Sequence, residues 1–208
     1  MGMDLNTLQP PKDVPAAYRK EHSEPGYYRF NVQGMASMRA LMDAAQVLSH
    51  EAAPALPDVP DNLSEDRRKN LLAAVYGDEK ALAALSKADA ALAKRYAEAL
   101  RTGSKTPGKV PSFKFESNAG WVVTPDECRT IAKALRSLAT RVSVADARAA
   151  SAAATKSDAQ LTQAIGFDAG VRLDARAFAM SPDDLKSWLL DWADYNTIAS
   201  FSGGYSVE

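Results

Sequence analysis

Cysteine occurs once in this chain, at Cys128, and histidine only twice, at His22 and His50. A single cysteine excludes an intrachain disulfide. Neither histidine has a second histidine or a cysteine at ligand spacing, so no zinc site is expected. His50-Glu51 lacks the downstream histidine of a metalloprotease helix. There is no Gly-x-Ser-x-Gly, and a Ser-His-Asp triad would have to recruit His22 or His50 from poor positions. Gly-x-Gly-x-x-Gly is missing as well. The acidic "DVPDN" lacks the alternating ligands and central glycine of a calcium loop. No catalytic residue, metal ligand or cofactor is therefore assigned.

Charge of one sign is also scarce. Twenty-five Lys+Arg against 26 Asp+Glu leave a net charge of -1, without the basic field of a nucleic-acid binder. No apolar run approaches the roughly 20 residues that span a bilayer. The first residues lack the apolar core of a secretory signal. Gly2 does not start a myristoylation motif, because Asn6 stands where Ser or Thr is required. The expected localisation is cytoplasmic, with neither nucleic acid nor membrane as partner.

What is present is an ordinary globular composition, 46% hydrophobic and 25% charged, in a chain long enough for one domain with a sizeable core. Residues 1–25 carry Pro10, Pro11, Pro15 and Pro25 and read as an irregular N-terminal arm. In "YYRFNV", Tyr28, Phe30 and Val32 alternate with Arg29 and Asn31, the period of a half-buried strand. Met35, Met38, Leu41, Met42, Ala45 and Leu48 then recur at helical spacing. Pro54, Pro57 and Pro60 at a three-residue period suit a stiff connector. Residues 64–101 read as a helical hairpin capped by Ser64 and broken near Gly77. "GSKTPGKV" (103–110) resembles a phosphate-binding loop in its Gly103, Gly108 and Lys109. Val110 replaces the magnesium-binding hydroxyl, and the loop leads from helix to strand rather than the reverse, so that reading is rejected.

"KFESNAGWVVTPDE" (114–127) is the densest stretch. Phe113 and Phe115 alternate as in one strand, Trp121 and Val123 as in a second, and Ser-Asn-Ala-Gly suits the turn between them, with Gly120 accepting positive φ. Thr124, Pro125 and Glu127 form a capping box with proline in the first turn. Cys128, Ile131, Leu135 and Leu138 share one helix face, which makes Cys128 a small buried hydrophobe rather than a nucleophile. Asn118 and Trp121 at the turn are candidate binding residues.

Lys114, Phe115, Ser117, Asn118, Gly120, Trp121, Val123, Thr124, Pro125 and Glu127, together with "GYYRFNVQGMASMRALM" and the closing "GGYSV", resemble an uncharacterised bacterial family, a domain of unknown function. The resemblance covers about 70 of the 208 residues. It implies an opening strand–helix unit and a closing Gly-Gly-aromatic strand, and no activity. Ala119 departs from the aspartate usual in that turn, which weakens a carboxylate role there.

Ser181, Pro182, Asp183 and Asp184 start a last helix with a heavy apolar face of Leu185, Trp188, Leu189 and Trp192. From Ser181 onward there are five acids, Asp183, Asp184, Asp191, Asp194 and Glu208, and one base, Lys186. Asp184, Asp191 and Asp194 are expected on one side, opposite Trp188, which reads either as a solvated helix face or, more sharply, as an acidic docking surface for a protein partner with a basic surface.

The fold expected is α+β. A small, mainly antiparallel four-stranded sheet is drawn from residues 27–33, 112–117, 120–124 and 203–207. Helices 35–48, 125–139 and 182–199 cover one face. Residues 26–208 form a single domain, with helical insertions at about 64–101 and 143–180. The functional expectation is a non-catalytic intracellular interaction protein, immunity or antitoxin-like. The alternative is an enzyme or small-ligand-binding protein with a pocket near the Asn118–Trp121 hairpin.

Overall fold

A computed structural model describes residues 2–11, 14–145, 148, 152 and 181–208. It is a small α+β fold with an antiparallel four-stranded sheet covered by helices. In chain order the strands are β1 (Gly2–Thr7), β2 (Tyr27–Asn31), β3 (Leu48–Ser49), β4 (Val110–Pro111), β5 (Trp121–Val123) and β6 (Tyr205–Val207). The helices are α1 (Ala16–Glu21), α2 (Val32–Ala44), α3 (Glu65–Val75), α4 (Glu79–Ala84), α5 (Lys87–Leu100), α6 (Pro125–Ala139) and α7 (Pro182–Ser200). The sheet order is β2-β1-β6-β5, and β3 and β4 form a separate two-residue parallel pair. The helical insertion expected over 143–180 lies outside the described residues, apart from its first few positions.

The N-terminal stretch is not an irregular arm. Met3 and Leu5 alternate with Asp4 and Asn6, a period of two that the prolines further on obscure. The resulting strand is interior to the sheet. Leu5 pairs with Tyr28 on one side and Val207 on the other. Leu5 is fully buried, and its carbonyl accepts the Tyr195 hydroxyl at 3.0 Å. The backbones of Asp4 and Glu208 exchange two hydrogen bonds of 2.7 and 2.8 Å, so both ends of the described chain are stitched into one ladder.

Residues 112–117 are not a strand either. Ser112–Phe115 is a 3-10 turn. With about three residues per turn, Phe113 and Phe115 point apart instead of sharing a face. Phe115 enters one core and Phe113 a second. The expected hairpin is therefore absent, and β5 pairs with β6. Helix α2 begins at Val32 rather than 35, because Asn31 caps it by accepting the Gly34 N–H at 2.6 Å. It ends by Ala44, and Leu48, assigned to its stripe, belongs to β3.

Two hydrophobic clusters meet at β5. The first gathers Leu5, Phe30, Met38, Leu135, Leu189 and Trp192 between the sheet and helices α2, α6 and α7. Helices α6 and α7 pack tightly on each other. The second holds Leu71, Val75, Leu92 and Leu100 of α3 and α5 against Phe113, Trp121 and Val122. Val123 faces the first cluster, so Trp121 and Val123 do not share a core as their alternation suggested. The 64–101 hairpin forms as α3, α4 and α5, each capped by its own side chain: Ser64, Asp78 and Ser86.

Candidate functional site

Helix α1 ends at Glu21, and His22, its C-cap, turns toward α7. The ring of Tyr18, one turn earlier and buried, stacks on His22 at 4.0 Å. On α7, Asp184, Trp188 and Asp191 are spaced by four and three residues, so they rise along one helix face. Trp188 is half-buried against the first core, edge-on to Phe30 at 5.8 Å. Together these groups line an open cleft of about 450 Å³, bounded by Glu21, His22, Asp184, Ser187, Trp188 and Asp191.

Asp191 is the anchor of the cleft. One carboxylate oxygen lies 2.7 Å from His22 Nε2, and the other accepts the Tyr28 hydroxyl at 2.7 Å. Tyr28 comes from β2, so a single carboxylate joins α1, β2 and α7. Burial, and then the Asp191 charge, push the Tyr28 hydroxyl far above its usual value. The Tyr18 hydroxyl is raised by burial and by Asp191 and Asp194 in the same way. Tyr28 therefore stays a hydrogen-bond donor. A histidine held at one ring nitrogen by a carboxylate, and about a quarter exposed, is the geometry of an oriented acid–base pair.

The other expected site residues fall elsewhere. Asp194 is on a different line of α7 and pairs with Arg136 of α6 at 2.7 Å. Arg136 also donates to Thr197 Oγ1 at 2.8 Å. Asp194 thus latches two helices and does not line the cleft. Trp188, expected opposite the acids, stands among them. Asp184 has a second duty, completing the capping box of α7 with Ser181. Trp121 is 4% exposed and packs edge-on to Phe113 at 4.8 Å, so it is a core residue and frames no surface. Asn118 is exposed in the turn before it.

A second polar cluster lies inside the protein. Lys114 is fully buried, and its ammonium donates to Glu127 at 2.7 and 2.9 Å and to the Val122 carbonyl at 2.7 Å. Glu127 also accepts from the Thr124 backbone N–H and hydroxyl, completing the expected capping box. Burial pulls the Lys114 ammonium below its usual value, opposed by the Glu127 charge. Burial pushes the neighbouring Cys128 thiol well up, as befits a buried, inert sulfur. This cluster is sealed and offers no surface to a ligand.

His22 did not stand out as a site residue in the sequence. The signal available was the pattern of Tyr18 and His22, four residues apart in "YRKEH", which puts two rings on one helix face. Among the described residues no helix is long and apolar enough to cross a membrane, and no group of three or more His, Cys, Asp and Glu could hold a metal ion. No family model, curated protein or solved structure matches the chain.

Proposed function

We propose that the protein is a non-catalytic interaction protein, immunity or antitoxin-like, that acts in the cytoplasm and receives a cationic side chain of a protein partner in the α1–α7 cleft. The observation that carries this reading is the lining. Three carboxylates, of Glu21, Asp184 and Asp191, and the indole of Trp188 face one cleft that, among the described residues, no lysine or arginine lines. Carboxylates supply ion pairing to a guanidinium or ammonium, and an indole face adds about 0.5–1 kcal/mol of cation–π attraction at an exposed site. A partner with a basic surface would be steered toward the cleft by this field. The resemblance to an uncharacterised bacterial family belongs to the same reading.

The test is a titration with an acetylated, amidated tetra-arginine peptide, read through tryptophan emission. Trp121 and Trp192 are buried, and Trp188 is half-buried at the cleft. A saturable change in wild type that is lost in Trp188→Ala supports the reading. No saturable change, or an equal one in Trp188→Ala, rejects the cleft as the docking site.

A second reading rests on the His22–Asp191 pair. An enzyme or small-ligand-binding protein would use His22 as a general base in this cleft, not at Asn118 and Trp121. Loss of a measured activity in His22→Asn, with peptide binding retained, would favour it.

A further inference from the structure

A second cleft, of about 400 Å³, lies between α6 and the turn that joins α2 to β3. Its polar lining has the opposite character. Lys133 and Arg141 supply two cations, Thr130 and Ser137 supply hydroxyls, and among the described residues no carboxylate lines it. Both cations are exposed, and neither forms an ion pair among the described residues. A third cation stands at the rim, where Lys109 donates to the Gln46 carbonyl. Ala45, Val47 and Ala134 give the same cleft an apolar wall.

The rim is fixed by the C-terminal cap of α2. Gln46 has φ +54°, the left-handed conformation common for the residue that follows a helix C-cap, here Ala45 of α2. Its N–H is held by the Asp43 carbonyl at 2.8 Å, the Val47 N–H by Met42 at 3.0 Å, and the Val47 carbonyl by Val110 at 2.9 Å. The first two of these bonds are the pair that commonly ends a helix on a left-handed residue, and with the third they fix the rim in place. Gly108, opposite, has φ +71°. Gly108 and Lys109 belong to the "GSKTPGKV" segment, whose sequence resembled a phosphate-binding loop. The structure keeps that segment as a loop between α5 and β4, so it does not cradle phosphate in the manner of that motif. It instead forms one lip of the basic cleft.

We infer that this cleft binds a small organic phosphate, with the phosphoryl group between Lys133 and Arg141 and the apolar part against Ala45, Val47 and Ala134. A planar guanidinium meets phosphate oxygens with two parallel N–H donors, and a lysine meets them as a point charge. The cleft volume falls within the range of small-ligand sites. The inference stands on different residues from the proposed partner site, and the two can fail separately.

The test is a titration of the ¹⁵N-labelled full chain with phenyl phosphate, followed by amide shifts. Inorganic phosphate and benzyl alcohol serve as comparisons. The expected result is a saturable shift at Gln46, Gly108, Thr130 and Ser137 with phenyl phosphate below roughly 10 mM. Inorganic phosphate should bind more weakly, because only the ester meets the apolar wall, and benzyl alcohol should give no saturable shift. Lys133→Gln with Arg141→Gln should weaken binding by about tenfold or more. Both side chains are exposed, so the remaining amide spectrum should not change. Ser137→Trp, which fills the cleft and keeps its charges, should abolish the shifts. Absence of saturation, equal binding by the double variant, or binding of benzyl alcohol as tight as that of the ester would overturn the inference.

Discussion

Two contacts between a basic side chain and a carboxylate differ in their surroundings. Lys114 and Glu127 meet in the interior, sealed from water, with every contacting group supplied by the fold. His22 and Asp191 meet at the edge of an open cleft, each about a quarter exposed. The buried pair ties the 3-10 turn to the start of α6 and leaves nothing for a ligand. The open one holds three elements together while Glu21, Asp184 and Trp188 beside it still face outward. Burial, not residue type, separates the structural pair from the candidate site.

The largest expected effect falls on the sealed side. Glu127→Ala removes the partner of a fully buried ammonium together with the α6 capping box. It should destabilise the fold by about 3–5 kcal/mol, the usual loss when one member of a buried ion pair is deleted. Chemical denaturation measures this. Replacing both residues, Lys114→Met with Glu127→Leu, should recover most of the loss attributable to the stranded charge, since a buried pair and an apolar pair are often similar in stability. A double variant no better than Glu127→Ala would mean that the capping bonds, not the charge, carry the contact.

Gly120→Val comes next. Gly120 has φ +75°, and a Cβ there would lie 2.2 Å from the Tyr76 hydroxyl oxygen. Tyr76 donates to the Gly120 carbonyl at 3.2 Å, so the clash also disturbs the joint between β5 and the second core. The strain alone amounts to about 1–3 kcal/mol. An unchanged denaturation midpoint would contradict the positive φ.

Acid should act more gently. Hydrogen bonds from Arg67 and then Ser86 hold Asp89 below its usual value, and Ser104 does the same for Glu51. A carboxylate depressed in the folded state stabilises above its unfolded value, roughly pH 4. That stability is lost as pH falls further, because the unfolded chain takes up the proton first. Denaturation midpoints should therefore drop below about pH 4, and Asp89→Asn should flatten part of that slope. A slope identical to wild type would remove Asp89 from the account.

Much of the fold was legible in local chemistry. The caps at Ser64, Thr124 and Ser181, the positive φ of Gly120 and the burial of Cys128 all follow from neighbouring residues. What was not legible depended on partners distant in sequence. The two-residue period of Met3 and Leu5 is too short to outweigh a proline-rich context until β6 and β2 flank it. Phe113 and Phe115 read as a strand because alternation alone cannot register that Lys114, between them, is drawn inward by Glu127. The cleft has the same cause. Asp191 was visible as an acid on α7, but His22 lies 169 residues away and was assigned to an arm. Trp121 was misread in the opposite direction, because a tryptophan beside a turn looks exposed until α3 and α5 pack over it.

The central claim is that the α1–α7 cleft attracts a cationic group through its carboxylates. Reversing Asp184, Asp191 and Asp194 together would break the His22, Tyr28 and Arg136 contacts and confuse binding with folding. Glu21→Gln with Asp184→Asn removes two charges and keeps an acceptor for the Ser181 N–H. The decisive measurement is the association rate of the tetra-arginine peptide against ionic strength, by stopped-flow fluorescence, for wild type and this variant. Wild type should associate faster at low salt and slow as salt screens charges over a Debye length of roughly 8–10 Å. The variant should start slower and depend less on salt. Equal rates and equal salt dependence for the two proteins would contradict the account and leave the cleft as a solvated seam between two helices.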